Sequence, residues 1–209
     1  FTWEGSDYTW APDSTWVAYT FVGDNRNSRV FLYNLATKQK VALTDGFFDC
    51  LNPAFDADGS TLYFLSYSNY EVRLDATQDN HVLPSPAQVM AVKLRSGEAK
   101  NSSSLSNSQA FQIETEGLAQ RITQLPVKGA NAFHLKAGKG LVGWSTVEGW
   151  DDSVNEEVYR ARGQAKWTLH LYDPATKKET VLAEPISEWS FDPSGAHLLI
   201  KKGTDFYVG

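Results

Sequence analysis

Phe55-Asp56-Ala57-Asp58-Gly59-Ser60-Thr61-Leu62-Tyr63-Phe64 places an aromatic residue before a polar turn and an apolar run after it. Asp hydrogen-bonds its own backbone, Gly accepts positive φ, and the run that follows has the apolar, aromatic character of a strand. The stretch therefore predicts two antiparallel strands joined by a tight turn. It recurs as Trp10-Ala11-Pro12-Asp13-Ser14-Thr15-Trp16-Val17-Ala18-Tyr19 and as Phe191-Asp192-Pro193-Ser194-Gly195-Ala196-His197-Leu198-Leu199-Ile200. A weaker copy is Ala137-Gly138-Lys139-Gly140 with Leu141-Val142-Gly143-Trp144 behind it. A second hairpin pattern follows the first. Val30 to Leu35, a turn at Ala36-Thr37-Lys38-Gln39 and Lys40 to Thr44 are restated by Leu169 to Asp173, Pro174-Ala175-Thr176-Lys177 and Lys178 to Leu182.

Two hairpins in series make a four-stranded antiparallel meander. Recurrence at roughly 40–50 residues marks the blades of a β-propeller. The expected fold is all-β, a propeller or propeller fragment of about four blades over residues 8–44, 51–125, 131–182 and 188–208. The last is cut short, and residues 1–3 are expected to complete it unless the arc stays open. No segment carries a sustained 3.6-residue apolar stripe, so little helix is expected. Propellers hold typically four to eight blades, so the chain is either the smallest ring or an arc. An arc exposes blade edges and an apolar face, which predicts self-association.

Composition narrows the partners. Trp 7, Tyr 9 and Phe 11 weight the chain toward pleated surfaces. Net charge is −6, which opposes nonspecific phosphate binding, so nucleic acid is not an expected partner. No apolar run approaches the ~20 residues of a membrane span, and the first residues do not read as a secretory leader. Cys50 stands alone, which leaves no intrachain disulfide and reads as a small buried thiol. One unpaired cysteine suits a cytoplasmic and a periplasmic protein equally.

Three stretches interrupt the blades: the polar loop from Tyr67 to Gln88, the Ser-rich Gly97 to Gln109, and Thr146 to Lys166. The second buries no apolar area, reads as mobile, and contains the sequon Asn101-Ser102-Ser103. The third carries Asp151, Asp152, Glu156 and Glu157, either a solvated loop or a site for a divalent cation or basic peptide.

No self-sufficient active site is legible. Gly143-Trp144-Ser145-Thr146-Val147 starts like a nucleophile elbow but lies in a strand and lacks the final small residue. His81, His134, His170 and His197 have no i+2 or i+4 ligand partner. His134 and His170 are each expected to have one polar partner within a blade, and His197 to be solvated. Asp56-Ala57-Asp58-Gly59 lacks the distal Glu of a calcium loop and reads as a turn. The expectation is no catalytic residue, no metal and no cofactor in this chain.

The phrases Trp10-Ala11-Pro12-Asp13-Ser14 and Phe191-Asp192-Pro193-Ser194-Gly195 resemble the WSPDG-type repeats (the WD40-like PD40 pattern) of TolB, prolyl-oligopeptidase and tricorn propellers. Asp45 to Gly59, continuing through Leu62-Tyr63-Phe64-Leu65-Ser66, is more specific and resembles the propeller of tricorn-like serine proteases. So does Ile113-Glu114-Thr115-Glu116-Gly117-Leu118 with Arg121 and Leu125-Pro126-Val127. Ala119 departs from the acidic tendency of that family. The resemblance implies a propeller that precedes a PDZ domain and a serine peptidase core and steers unfolded peptides to it. It implies as partners a peptide or unfolded polypeptide and the remaining domains of a parent hydrolase.

No catalytic residue of the family maps onto this sequence, so the chain alone is not expected to be an enzyme. The residues expected along a substrate channel are Tyr8, Trp10, Asn52, Asn131, His134 and Glu188, from the four innermost strands. Aromatic residues among them serve equally as packing between blades. Two other readings stay open: a stand-alone TolB-type interaction module and a lone hydrolase.

Overall fold

Asp and Gly build the quoted turns as their chemistry demands. The N–H groups of Ala11, Asp56 and Asp192 donate to the carbonyls of Trp16, Thr61 and His197 at 2.9–3.0 Å. Ser14, Gly59 and Gly195 hold the same turn position with φ of 60°, 71° and 70°. Asp56 Oδ1 accepts the Thr61 N–H, and Asp192 Oδ1 accepts those of Ala196 and His197. The third turn closes sooner, from Gly138 N–H to the Leu141 carbonyl, which is why its phrase is degraded. The second hairpin type repeats too: Asn34 Oδ1 and Asp173 Oδ1 each accept two N–H groups of the following turn.

The computed structural model describes residues 7–69, 73–74, 81–82, 87–96, 111–128, 132–147 and 167–209. Strands β1 (Tyr8–Trp10), β2 (Trp16–Val22), β3 (Ser28–Asn34) and β4 (Lys40–Ala42) form the first antiparallel sheet in chain order. Strands β5 (Cys50–Phe55) and β6 (Thr61–Ser66) open the second sheet. A small hairpin, β7 (Arg73–Leu74) with β8 (His81–Val82), follows within the stretch expected to be loop. Strands β9 (Gln88–Lys93) and β10 (Ile122–Gln124) complete the sheet in the order β10-β9-β6-β5.

The third sheet is β11 (Ala132–Ala137), β12 (Val142–Val147), β13 (Trp167–Asp173) and β14 (Lys178–Ile186). The fourth has three strands, β15 (Glu188–Phe191), β16 (Leu198–Lys202) and β17 (Asp205–Val208), one fewer than the other three sheets. Among the described residues the only helical element is a 3-10 turn at Ala119–Arg121. None of their helices is long and apolar enough to cross a membrane. Residues 1–3, the Ser-rich stretch with its sequon, the acidic group from Asp151 to Glu157, and Asn131 lie outside the described residues.

Burial follows from strand alternation. Leu62 and Phe64 of β6 face the first sheet and join Trp16, Ala18, Val30 and Leu32 in one cluster. Tyr63 and Leu65, on the opposite face, join Val142, Trp144 and Tyr172 of the third sheet. Leu169, Ile186 and Trp189 fill the seam between the third and fourth sheets. Every residue of β6 is buried, whereas β2 alternates and β17 is exposed throughout. Cys50 is buried at 5% exposure, and burial pushes its thiol pKa up.

Ile113 and Leu118 are buried in the first cluster. Arg121 ties that segment down by donating to the carbonyls of Lys93, Glu114 and Glu116. Strand β5 lies against β1 and β11, and β11 against β15, so the sheets stack side by side about one axis. Tyr8, Trp10 and Phe21 remain exposed on the outer face of the first sheet, and Leu199, Phe206 and Val208 on that of the fourth. Lys40 Nζ lies 4.2 Å over the Phe31 ring on the former face.

Candidate functional site

Strands β1, β5, β11 and β15 are terminal in their sheets, so each turns one edge toward the axis. Two of them are bulged. The β5–β6 register shifts between Leu51 and Ala54, and the β11–β12 register between Phe133 and Lys136. Inside these bulges Asn52 and His134 adopt φ of 50° and 55°. A bulge re-aims a side chain that regular pleating would send elsewhere. Asn52 Nδ2 donates to Asp7 Oδ2 at 2.9 Å, joining the first two sheets. A cavity of about 300 Å³ lies here, lined by residues that include Asp7, Tyr8, Asn52, Phe55 and Lys136.

Lys136 also borders a second cavity, of about 240 Å³, with His134, Ser145, Trp167, Ile186, Ser187, Glu188 and Trp189. Its Nζ donates to the Trp189 carbonyl at 2.7 Å and sits 5.4 Å from the Trp189 ring centroid. Burial lowers the Lys136 pKa, opposed by the Glu188 carboxylate. Burial also lowers that of His134, reinforced by Lys136 and opposed by Asp7. The His134 ring meets Trp167 edge-on at 4.8 Å. Ser145, only 1% exposed, accepts the Trp189 indole N–H at 2.7 Å. That bond makes Ser145 a structural acceptor in the seam.

Of the residues expected along the channel, the structure brings Tyr8 and Asn52 to the first cavity and His134 and Glu188 to the second. Trp10 stands elsewhere, 51% exposed on the open face of the first sheet. Asp7, Lys136, Trp167 and Trp189 were missed. Asp7, Lys136 and Trp189 lie in or beside the inner strands β1, β11 and β15, the one signal that could have pointed to them, whereas Trp167 opens β13 and had none.

The other histidines depart from expectation in part. His170 has two polar partners, Thr146 Oγ1 at 2.9 Å and Glu179 Oε1 at 2.8 Å, and stacks on Trp144. His197, two-thirds exposed, lies 3.5 Å from Asp192. Asp56 sits in its turn with a carboxyl pKa pushed up to about 6, first by burial and then by Asp58. No group of three potential metal ligands occurs among the described residues.

Short antiparallel sheets stacked about an axis, with bulged inner strands around it, define a β-propeller domain. Residues 4–209 match the family described as the Tricorn protease second beta propeller domain, and the chain belongs to that family. The tricorn protease crystal structure superposes with a TM-score of 0.77 at 19% identity, over 98% of this chain and 21% of that one. A Tricorn protease homolog 1 of Streptomyces coelicolor is 26% identical over 68% of this chain and 15% of its own length. A TolB-type structure from Agrobacterium tumefaciens gives a TM-score of 0.53 at 11% identity, over 86% of this chain and 49% of that one. The chain spans 15–22% of the length of the curated relatives it matches.

Proposed function

We propose that this domain is a non-catalytic wall of a passage through which peptides reach a serine peptidase core of the same parent protein. One observation carries the reading. The inner edges of consecutive sheets face a common axis and border two cavities that share Lys136. Terminal strands offer backbone donors and acceptors to an extended chain, and a rigid ring of sheets keeps their spacing fixed. The family membership supports the parent being a tricorn-like peptidase.

The test compares the full-length parent protein with its Asn52→Trp variant, which narrows the first cavity. Cleavage of an unstructured 15-residue peptide is expected to slow at least fivefold, while a chromogenic dipeptide-sized substrate is cleaved as before. Equal rates for both substrates in both proteins would exclude a passage along this axis. The TolB-type likeness and the open outer faces favour a second reading, a docking module for a protein partner with no peptidase attached. Full-length protein without peptidase activity would favour it.

A further inference from the structure

We infer that the cavity between the third and fourth sheets is a pocket for one aromatic side chain of an extended peptide, a specificity that rests on the passage reading above. Its size is the first ground. At about 240 Å³ it falls below the usual range for a whole small-molecule ligand and suits one large side chain. Its walls are the second. Trp189 and Ile186 are each 3% exposed, and the half-buried Trp167 and the His134 ring add flat aromatic surface. Burial keeps His134 below the ordinary imidazole range, so its ring is uncharged at neutral pH. Offset and edge-to-face packing on such rings adds to the gain from burial alone.

The polar groups point the same way. Ser145 Oγ is engaged by the Trp189 indole N–H, and Lys136 Nζ by the Trp189 carbonyl. A polar side chain entering the depth would lose its water and would have to share Ser145 and Lys136 with the Trp189 groups they already bind. Lys136 and Glu188 both border the cavity with opposite charges. A charged side chain of either sign meets one attractive and one repulsive group there, so the pair gives it no net gain to set against the loss of its water. An uncharged side chain meets no like charge.

Gly143 makes this wall available. A Cβ at that position would lie 2.7 Å from the Trp189 ring, so the glycine lets the indole seat against the third sheet. Strands β11 and β15, terminal in their sheets, flank the cavity and can hold the peptide backbone while the pocket takes the side chain.

The test measures calorimetric binding of N-acetylated, C-amidated Gly-Ser-X-Ser-Gly peptides, with X as Phe, Leu, Ala, Asp or Lys. The Phe peptide is expected to bind roughly tenfold tighter than the Ala peptide, as for one large apolar side chain buried in part, with Asp and Lys no tighter than Ala. Ser187→Phe, at an exposed position, plugs the pocket from its rim without touching the core. Trp167→Ala removes a wall. Both variants are expected to bring the Phe peptide within twofold of the Ala peptide and leave Ala binding unchanged. Where Trp167→Ala fails to fold, Ser187→Phe decides alone. Equal affinity for every X overturns the pocket and leaves the passage standing, and so does a Phe preference that survives Ser187→Phe. No binding of any peptide overturns both.

Discussion

Asp56 shows how much one turn residue sets. Its carboxylate accepts the Thr61 N–H and the Ser60 hydroxyl, yet burial and the neighbouring Asp58 raise its pKa to about 6. A carboxyl raised above its unfolded value favours the folded state when protonated. Its contribution is full below about pH 4 and is lost as pH rises through 6. Asp56→Asn keeps the acceptor for Thr61 and removes the charge. It should be more stable than the parent by on the order of 1 kcal/mol at pH 7, after discounting for its partial exposure, and no more stable at pH 4. Urea midpoints across that range measure it, and a constant difference at all pH values would contradict the assignment. Asp192 has the opposite sign. Hydrogen bonds from His197 and Ser194 depress its pKa, so its contribution is lost as pH falls.

Turns and strands were legible because their causes are local. Asp56 and Gly59 write one turn within a few residues, and the alternation of Leu62, Tyr63, Phe64 and Leu65 assigns each side chain to one face of β6. The site was legible in part. Asn52 was expected at the channel from its place on an inner strand, whereas its partner Asp7 lies 45 residues away. Lys136 and Trp189 are 53 apart, and Ser145 and Trp189 are 44 apart. No local pattern announces a contact made only when neighbouring sheets stack. The Ser145–Trp189 bond predicts a measurable effect on the seam. Ser145→Ala leaves a buried indole N–H without its acceptor and should cost about 1–3 kcal/mol. Thermal or denaturant unfolding reads it directly, and an unchanged midpoint would show that water replaces the hydroxyl.

The sheets at the two ends of the stack are covered on one side only. Tyr8, Trp10 and Phe21 at one end, and Phe206 and Val208 at the other, leave aromatic and aliphatic surface in water. In a longer protein, further sheets can cover both faces. For this chain by itself, self-association is expected, with a sedimentation-derived mass that rises with concentration. Phe21→Lys with Phe206→Lys, both at exposed positions, should lower that mass toward the monomer. A monomer at every concentration in the unsubstituted chain would contradict the expectation. Strand β6, walled in on either side, also sets a rhythm for local opening. Its amides should surrender their protons to deuterium last, only when the whole assembly of sheets comes apart, while those of β17 exchange within the first moments.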